Sequence, residues 1–239
     1  MVALNGRTSD LPPAHPKRSA SAQQGPPSDL TGFPVATIDP SQGWYREHGN
    51  RDGHDAGCWY FSGYAQGQPP QGRFDLPLPN GTCYLAETPS AAARERCGRF
   101  TSAGAPIPPG HYWNRVISAV QAPAGAVRIA DATQAEAAHR HKVTRELFSC
   151  PDYTLPANWA RALHLAGFDA LLYEPRFGPG PGRAVALFGT HGRDRNREIL
   201  SSVELAHTLQ NMGLLPSIPS SSELRCDDSD AEAAAPESA

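Results

Sequence analysis

The sequence predicts an α+β domain, and three observations lead to that fold class. The run "GTCYLAE" at residues 81–87 alternates and is rich in strand-forming side chains, and a helix start follows it directly. Two apolar runs, at 168–177 and 182–189, are joined by "GPGPG", which indicates a hairpin with a long turn. Helical patterns lie between these strands. We therefore expect short strands with helices packed beside them.

Polar stretches flank the predicted domain at both ends. Residues 1–32 are rich in Pro, Ser, Ala and Gln with scattered charge, and residues 216–239 have the same character with an acidic bias. Both contain too little apolar surface to offset the entropy of ordering them. The sequence therefore predicts two disordered tails and one domain over residues 33–215.

The elements of the domain follow from local patterns. Residues 33–39 and 57–63 are short apolar segments, the second a strand or a binding loop, and 81–87 is a strand. Thr88 and Pro89 then supply the N-cap hydroxyl and the N1 proline of a helix that runs to residue 100.

Later elements alternate between the two types of structure. Residues 111–123 form a short helix or a strand, and 126–133 form a strand with a polar turn. Residues 134–148 and 155–167 are helical, the second ending at a glycine. The last helix covers 201–213, with Ser201 or Ser202 as its cap.

The charge and the cysteines exclude several classes of protein. A net charge of -3 and a pI near 6.3 lack the basic surplus of nucleic-acid-binding domains. The five cysteines include no Cys-x-x-Cys pair, so neither a zinc ribbon nor a disulfide framework is indicated. No apolar run is long enough for a signal peptide or a membrane span. We expect a cytoplasmic protein with reduced thiols and no nucleic-acid or membrane partner.

Common catalytic and ligand-binding motifs are also missing. The prolines of "GPGPG" remove the backbone N–H donors that a phosphate loop needs. His139 and His141 lie two residues apart in a helix, without a carboxylate or thiolate to complete a metal site, and are expected at the surface. There is no G-x-S-x-G, and Cys83 and Cys97 are expected to be buried thiols.

Arg73, Tyr84 and Glu95 follow one another at intervals of eleven residues, from a loop to a strand to a helix. Two interpretations are open. They are a surface arginine, a core tyrosine and a solvated glutamate, or they form a site. The second gains support because Glu95 shares a helix face with Ala91 and Gly98, small residues suited to close packing. A carboxylate on a packed face is costly unless it is paired or functional.

The stretch that contains these residues, "GRFDLPLPNGTCYLAETPSAAARE" at 72–95, closely resembles the core of the RES domain family, named for its Arg, Glu and Ser. Residues 158–189 resemble the family's second signature, in which a helix leads to a Gly-[Tyr/Phe]-Asp-Gly turn, a strand, and a closing strand that ends in Leu-Phe. The resemblance spans residues 42–192, about two thirds of the chain.

This resemblance implies an α+β fold similar to ADP-ribosyltransferases, with a mixed sheet as its core and helices at its sides. It implies NAD+ as substrate and no metal, and, because family members are toxins of bacterial RES–Xre pairs, an Xre-like helix-turn-helix antitoxin as partner. Three functions stay open. They are breakdown of NAD+ by hydrolysis or phosphorolysis, transfer of ADP-ribose to a protein acceptor, and a catalytically silent fold that binds NAD+ or a protein.

Matched by position, Arg73, Tyr84 and Glu95 take the places of the family's arginine, tyrosine and helix glutamate. Arg73 would hold the pyrophosphate through its fork of donors. Tyr84 would stack against the cationic nicotinamide ring. Glu95 would stabilise the oxocarbenium-like ribose that forms as the glycosidic bond breaks.

The resemblance also indicates further residues of the NAD+ pocket. Arg46 and His48 in "WYREH" match the family's opening Arg-x-His segment, and Tyr60 and Phe61 in "CWYFS" match an aromatic segment. Arg176 matches an arginine after the late strand and could serve the phosphates.

One position departs from the family. A serine is expected shortly after the late-strand tyrosine, but Pro175 stands two residues after Tyr173. A proline has no hydroxyl, so either a neighbouring serine such as Ser62 substitutes, or the activity is altered or lost.

Overall fold

The computed structural model describes residues 23–38, 42–50, 59–121, 127–177, 182–194 and 198–216. Its strands are β1 (Val35–Ala36), β2 (Trp44–Gly49), β3 (Tyr60–Phe61), β4 (Gly63–Tyr64), β5 (Leu76–Pro77), β6 (Asn80–Ala86), β7 (Arg115–Val120), β8 (Ile129–Asp131), β9 (Ala170–Tyr173), β10 (Ala184–Thr190), β11 (Gly192–Arg193) and β12 (Ile199–Glu204). Its α-helices are α1 (Pro89–Thr101), α2 (Ala135–His141), α3 (Glu146–Ser149), α4 (Thr154–Leu165) and α5 (Leu205–Asn211).

One large mixed sheet organises the domain, in the order β1-β8-β9-β10-β6-β2-β7-β12. Strands β8 and β9 run parallel, and the other neighbouring strands run antiparallel. The two late apolar runs pair as β9 and β10, as predicted, although residues 178–181 between them lie outside the described residues. Strands β2 and β6 share only the pair Tyr45–Ala86. The predicted α+β class is confirmed.

Strand side chains alternate between the two faces of a sheet. The helices that form the core pack on one of these faces. On the face that bears Tyr84, α4 packs through Trp159 against β9 and β10, while α1 and α5 pack against the half of the sheet that contains β7. Trp59 and Phe61 cover the other face. None of the helices in the described ranges is long and apolar enough to cross a membrane.

Helix α1 begins where the sequence predicts. The Thr88 hydroxyl accepts a hydrogen bond from the Ala91 amide at 3.1 Å, and Pro89 occupies the first turn. Near the other end, Gly98 leaves its side of the helix bare, and Phe177 packs directly against it. The helix is therefore fixed by its cap at one end and by a loop at the other.

Two predicted elements differ in the structure, and a third is settled by it. Residues 134–148 form two helices, because Lys142 adopts a left-handed conformation with φ of 59° and ends α2. Of the two alternatives for residues 111–123, the strand is present as β7, after a short 3-10 helix at Pro109–His111. Ser201 and Ser202 lie in β12, which pairs with β7, so the last helix begins at Leu205 without a serine cap. Nearly all side chains of β12 are exposed, so the strand lacks the alternation of buried and exposed residues by which a sequence indicates a strand.

Residues 23–32, which the sequence assigned to the N-terminal tail, pack against the domain. The Gln23 amide donates to Glu146 at 3.0 Å, its side-chain oxygen accepts from the Thr144 amide at 2.7 Å, and the Trp159 indole donates to the Gln24 carbonyl at 2.9 Å. The packed region therefore includes residues before Phe33. The rest of the predicted tails, 1–22 and 217–239, lies outside the described residues.

The prediction that both helical histidines are at the surface is wrong for one of them. His139 is exposed, but His141 is only 6% exposed. Its ring lies 4.9 Å from that of Phe33, measured between centroids. Phe33 packs against this histidine, and the helical pattern alone gave no sign of that contact.

Candidate active site

A cleft with a volume of about 380 Å³ opens on the helix-bearing face of the sheet. Tyr84 from β6 and Ala184 from β10 line it on the sheet side, Glu95 lines it from α1, and Arg73 lines it from the loop before β5. The volume lies in the range of small-molecule sites, roughly 300–1,000 Å³. The three residues that the sequence spaces at intervals of eleven thus meet in one cavity.

Arg73 is held in a fixed orientation at the cleft. It is 9% exposed, one guanidinium nitrogen donates to the Cys150 carbonyl at 2.7 Å, and the guanidinium carbon lies 5.0 Å from the centroid of the Tyr153 ring. The ring face attracts the cation. Because a guanidinium carries five N–H donors, the Cys150 carbonyl orients Arg73 without using the full set.

Tyr84 lines the cleft, but its hydroxyl is bound to protein on both sides. It accepts from the Phe74 amide at 2.8 Å and donates to Asp75 at 2.9 Å. Asp75 is fully buried and also accepts from the Gly72 amide at 2.6 Å and the Ser62 hydroxyl at 3.2 Å. Burial and the charge of Asp75 hold the pKa of Tyr84 well above its usual value, so the phenol stays protonated.

Glu95 faces the open cleft, although the sequence placed it on the packed side of α1. Ala91 and Gly98 are buried as expected, whereas Glu95 is exposed and accepts from the Arg176 amide at 3.0 Å. Many protein atoms nevertheless surround the carboxylate, and desolvation raises its pKa. The Arg176 amide and the nearby charge of Arg73 offset part of that rise.

Arg46 lies beside the single point at which β2 and β6 pair. It lines the cleft, and its guanidinium donates to the Tyr60 carbonyl at 3.0 Å and to the Cys83 sulfur. Its Nε is buried and has no hydrogen-bond partner within the described part of the chain. Of the weaker candidates from the sequence, Arg46 is the one that lines the cavity, but its guanidinium is bonded to Cys83, which packs in the core on the other face of the sheet.

His48 is close to Arg46 in the sequence but does not line the cleft. It is 6% exposed, and its Nδ1 donates to the Gly49 carbonyl at 3.0 Å. Because a carbonyl only accepts, the proton of the neutral ring is on Nδ1, and Nε2 accepts a hydrogen bond from the Ser118 hydroxyl at 2.7 Å. Burial lowers the pKa of His48, which keeps the ring neutral. The structure gives this histidine a place in the sheet core.

Tyr60 and Arg176 contact residues of the site with backbone atoms and not with their side chains. The Tyr60 ring packs edge-on against His191, with centroids 5.7 Å apart, while its carbonyl accepts from Arg46. The Arg176 guanidinium lies 4.9 Å from the Phe177 ring centroid, while its amide donates to Glu95. Neither side chain lines the cavity. Phe61 lies in the core on the opposite face of the sheet.

Several residues at the cleft were not singled out from the sequence as site residues. Arg96 follows Glu95 on α1, and its buried Nε has no partner among the described residues. Tyr153, Tyr173 and Phe177 complete the aromatic walls. The sequence pattern gave no sign that Arg96 shares the cleft with Glu95, and the aromatic residues come from other elements, so no local pattern connects them with it.

The charges at the cleft are mainly positive. Arg46, Arg73 and Arg96 line it together with two carboxylates, Glu47 and Glu95. Glu47 is neutralised by its ion pair with Arg115. The remaining balance suits a ligand with more than one negative charge, since guanidinium groups bind phosphate oxygens through paired donors. Within the described ranges, no group of three or more His, Cys, Asp or Glu is placed to hold a metal ion.

Comparison with known proteins gives one family and one fold. The model of the RES domain matches residues 44–207. The structure is similar to a chain of the M. tuberculosis MbcT-MbcA toxin-antitoxin complex, with a TM-score of 0.50 and 16% sequence identity over 71% of this chain and 87% of that chain. At this identity the similarity shows a shared fold. No curated protein matches the sequence.

Proposed function

The chain belongs to the RES domain family, and on that basis we propose that it consumes NAD+ by breaking the bond between nicotinamide and ribose. The observation that supports this most directly is that Arg73, Tyr84 and Glu95, from a loop, a strand and a helix, line one cavity of about 380 Å³. A donor fork, an aromatic face and a carboxylate are the groups that such a substrate needs.

Each group meets a different part of the substrate. Arg73 binds the pyrophosphate, with Arg96 as a further cation at the same cleft. The Tyr84 ring stacks on the positively charged nicotinamide ring. As the glycosidic bond breaks, its electron pair stays with nicotinamide, which leaves as a neutral molecule and needs no proton. The ribose carbon becomes cationic, and the Glu95 carboxylate stabilises that charge and orients the incoming nucleophile.

The test is release of nicotinamide from NAD+ by the purified full-length chain, followed by chromatography. Glu95→Gln keeps the shape of the side chain but removes its charge, and we expect turnover to fall by at least about 100-fold. Glu136→Gln is the matched control, because Glu136 is an exposed helix residue outside the cleft. Equal turnover of wild type and Glu95→Gln would rule out this mechanism.

The nucleophile decides the reaction class. Water gives ADP-ribose and a proton, inorganic phosphate gives ADP-ribose 1″-phosphate, and a protein side chain gives a modified protein. Incubation with NAD+ labelled in its adenylate half, with and without phosphate and a cell lysate, separates the three. We propose breakdown, so we expect the label in small molecules, whereas a discrete labelled protein band would identify a transferase.

A second candidate function is binding of NAD+ without turnover, and Pro175 favours it. This residue stands where a family serine is expected, and the next residue donates its amide to Glu95. A carboxylate that already accepts a hydrogen bond has less capacity for the ribose. Calorimetry that detects NAD+ binding while no nicotinamide appears would establish this function in place of catalysis.

We further propose that the chain is the toxin of a toxin–antitoxin pair and acts in the cytoplasm. Its support is the family membership, together with a fold similar to a chain of the MbcT-MbcA toxin-antitoxin complex. The expected partner is an Xre-like helix-turn-helix protein that covers the cleft. Expression in a bacterial host should deplete NAD+ and arrest growth, and Glu95→Gln should abolish both effects.

A further inference from the structure

We propose that Asp75 is a positioning residue, which acts through the Tyr84 hydroxyl to clamp the loop that presents Arg73 to the cleft. The proposal deepens the proposed function and rests on it for the role of Arg73. It also assigns a purely structural role to the Tyr84 hydroxyl.

The clamp holds both peptide neighbours of Arg73. On one side the Gly72 amide donates to one Asp75 oxygen at 2.6 Å, and on the other the Phe74 amide donates to the Tyr84 hydroxyl at 2.8 Å. The Tyr84 hydroxyl in turn donates to the second Asp75 oxygen at 2.9 Å, so Gly72, Asp75, Tyr84 and Phe74 are joined by consecutive hydrogen bonds. The backbone on each side of Arg73 is thus tied to one buried carboxylate, directly or through one hydroxyl.

The three contacts of Asp75 fit a carboxylate. The Gly72 amide, the Tyr84 hydroxyl and the Ser62 hydroxyl all donate to it, and a carboxylate accepts at both oxygens. Burying a carboxylate is costly, and these hydrogen bonds offset part of the cost. Burial raises the pKa of Asp75, and the same hydrogen bonds oppose that rise.

The loop packs so closely against Asp75 and Tyr84 that no side chain fits at Gly72. A Cβ atom at Gly72 would lie 2.5 Å from an Asp75 oxygen and 2.6 Å from the Tyr84 hydroxyl oxygen, closer than real Cβ atoms approach other atoms. Glycine therefore allows the loop to close onto the carboxylate. The Tyr84 hydroxyl donates its one proton to Asp75 and accepts from the Phe74 amide, so it has no proton left to donate to a ligand.

The decisive test uses two measurements on Tyr84→Phe, which keeps the ring and removes the hydroxyl. In the absence of ligand, hydrogen exchange of the Phe74 amide should accelerate about tenfold or more, because its acceptor is lost. With NAD+, KM should rise about tenfold while kcat stays within about threefold. Tyr64→Phe, outside the cleft, is the matched control and should change neither measurement.

A double-mutant cycle of Asp75→Asn with Tyr84→Phe completes the test. Because the two residues share a hydrogen bond, their effects on KM should not be additive. Unchanged exchange at Phe74, additive effects on KM, or a large fall in kcat at constant KM would overturn the clamp. If wild type does not act on NAD+, the proposed function fails, and hydrogen exchange alone still decides whether the clamp exists.

Discussion

Replacement of Gly98 by alanine tests whether the contact between α1 and Phe177 shapes the cleft. In an unobstructed helix interior, glycine to alanine raises the free energy of unfolding by about 1 kcal/mol. Here the added Cβ would overlap the Phe177 Cβ and Cγ atoms and lie 2.9 Å from Cδ2. Such overpacking typically costs about 1–3 kcal/mol. The two effects oppose each other, so the variant should range from unchanged stability to a loss of about 2 kcal/mol.

The same substitution should impair the site more than the fold. Phe177 lines the cleft, and the adjacent Arg176 amide donates to Glu95, so a retreat of Phe177 moves a hydrogen bond of the proposed catalytic carboxylate. A displacement of about 1 Å at such a site reduces turnover by up to about 100-fold. We therefore expect nicotinamide release to fall while the protein stays folded.

Urea unfolding followed by tryptophan fluorescence measures the stability, and nicotinamide release measures the activity. Gly110→Ala is the control, because a Cβ at Gly110 would meet no atom within 4 Å. A gain of about 1 kcal/mol for Gly98→Ala with unchanged turnover would show that Phe177 does not pack on α1 as described.

Three further predictions concern titration and burial. Because desolvation raises the pKa of Glu95, the acid limb of the pH profile of kcat/KM should lie above the ordinary glutamate value near 4.5. Because the pKa of Glu95 is raised in the folded protein, its ionisation lowers the free energy of unfolding as the pH rises above the ordinary glutamate value. Glu95→Gln should therefore be more stable than wild type at pH 7 but not at pH 3, as measured by urea unfolding. Ser118→Ala should lower the free energy of unfolding by about 1–3 kcal/mol, since it leaves the buried Nε2 of His48 without its partner. Its nicotinamide release should be retained, and a loss of release in the folded variant would return His48 to the site.

The sequence was most informative where the interactions are local. The Thr88 cap, the strand around Tyr84 and the late antiparallel pair depend on neighbouring residues, and all three are present. It was least informative where a distant element decides the conformation. The break at Lys142 and the pairing of Ser202 in an edge strand have no local pattern.

The candidate site divides in the same way. Its principal residues, Arg73, Tyr84 and Glu95, were singled out from one continuous stretch that also identified the family, because loop, strand and helix follow one another closely there. Only the tertiary structure placed Arg96 at the same cleft and Asp75 beneath it, since burial and hydrogen-bond direction depend on elements that pack from elsewhere. The sequence by itself determined the class of domain and predicted the chemical groups of its candidate site. The packing of the sheet, α1 and the Phe177 loop decided which of those groups line the cleft and which are bonded to the protein around it.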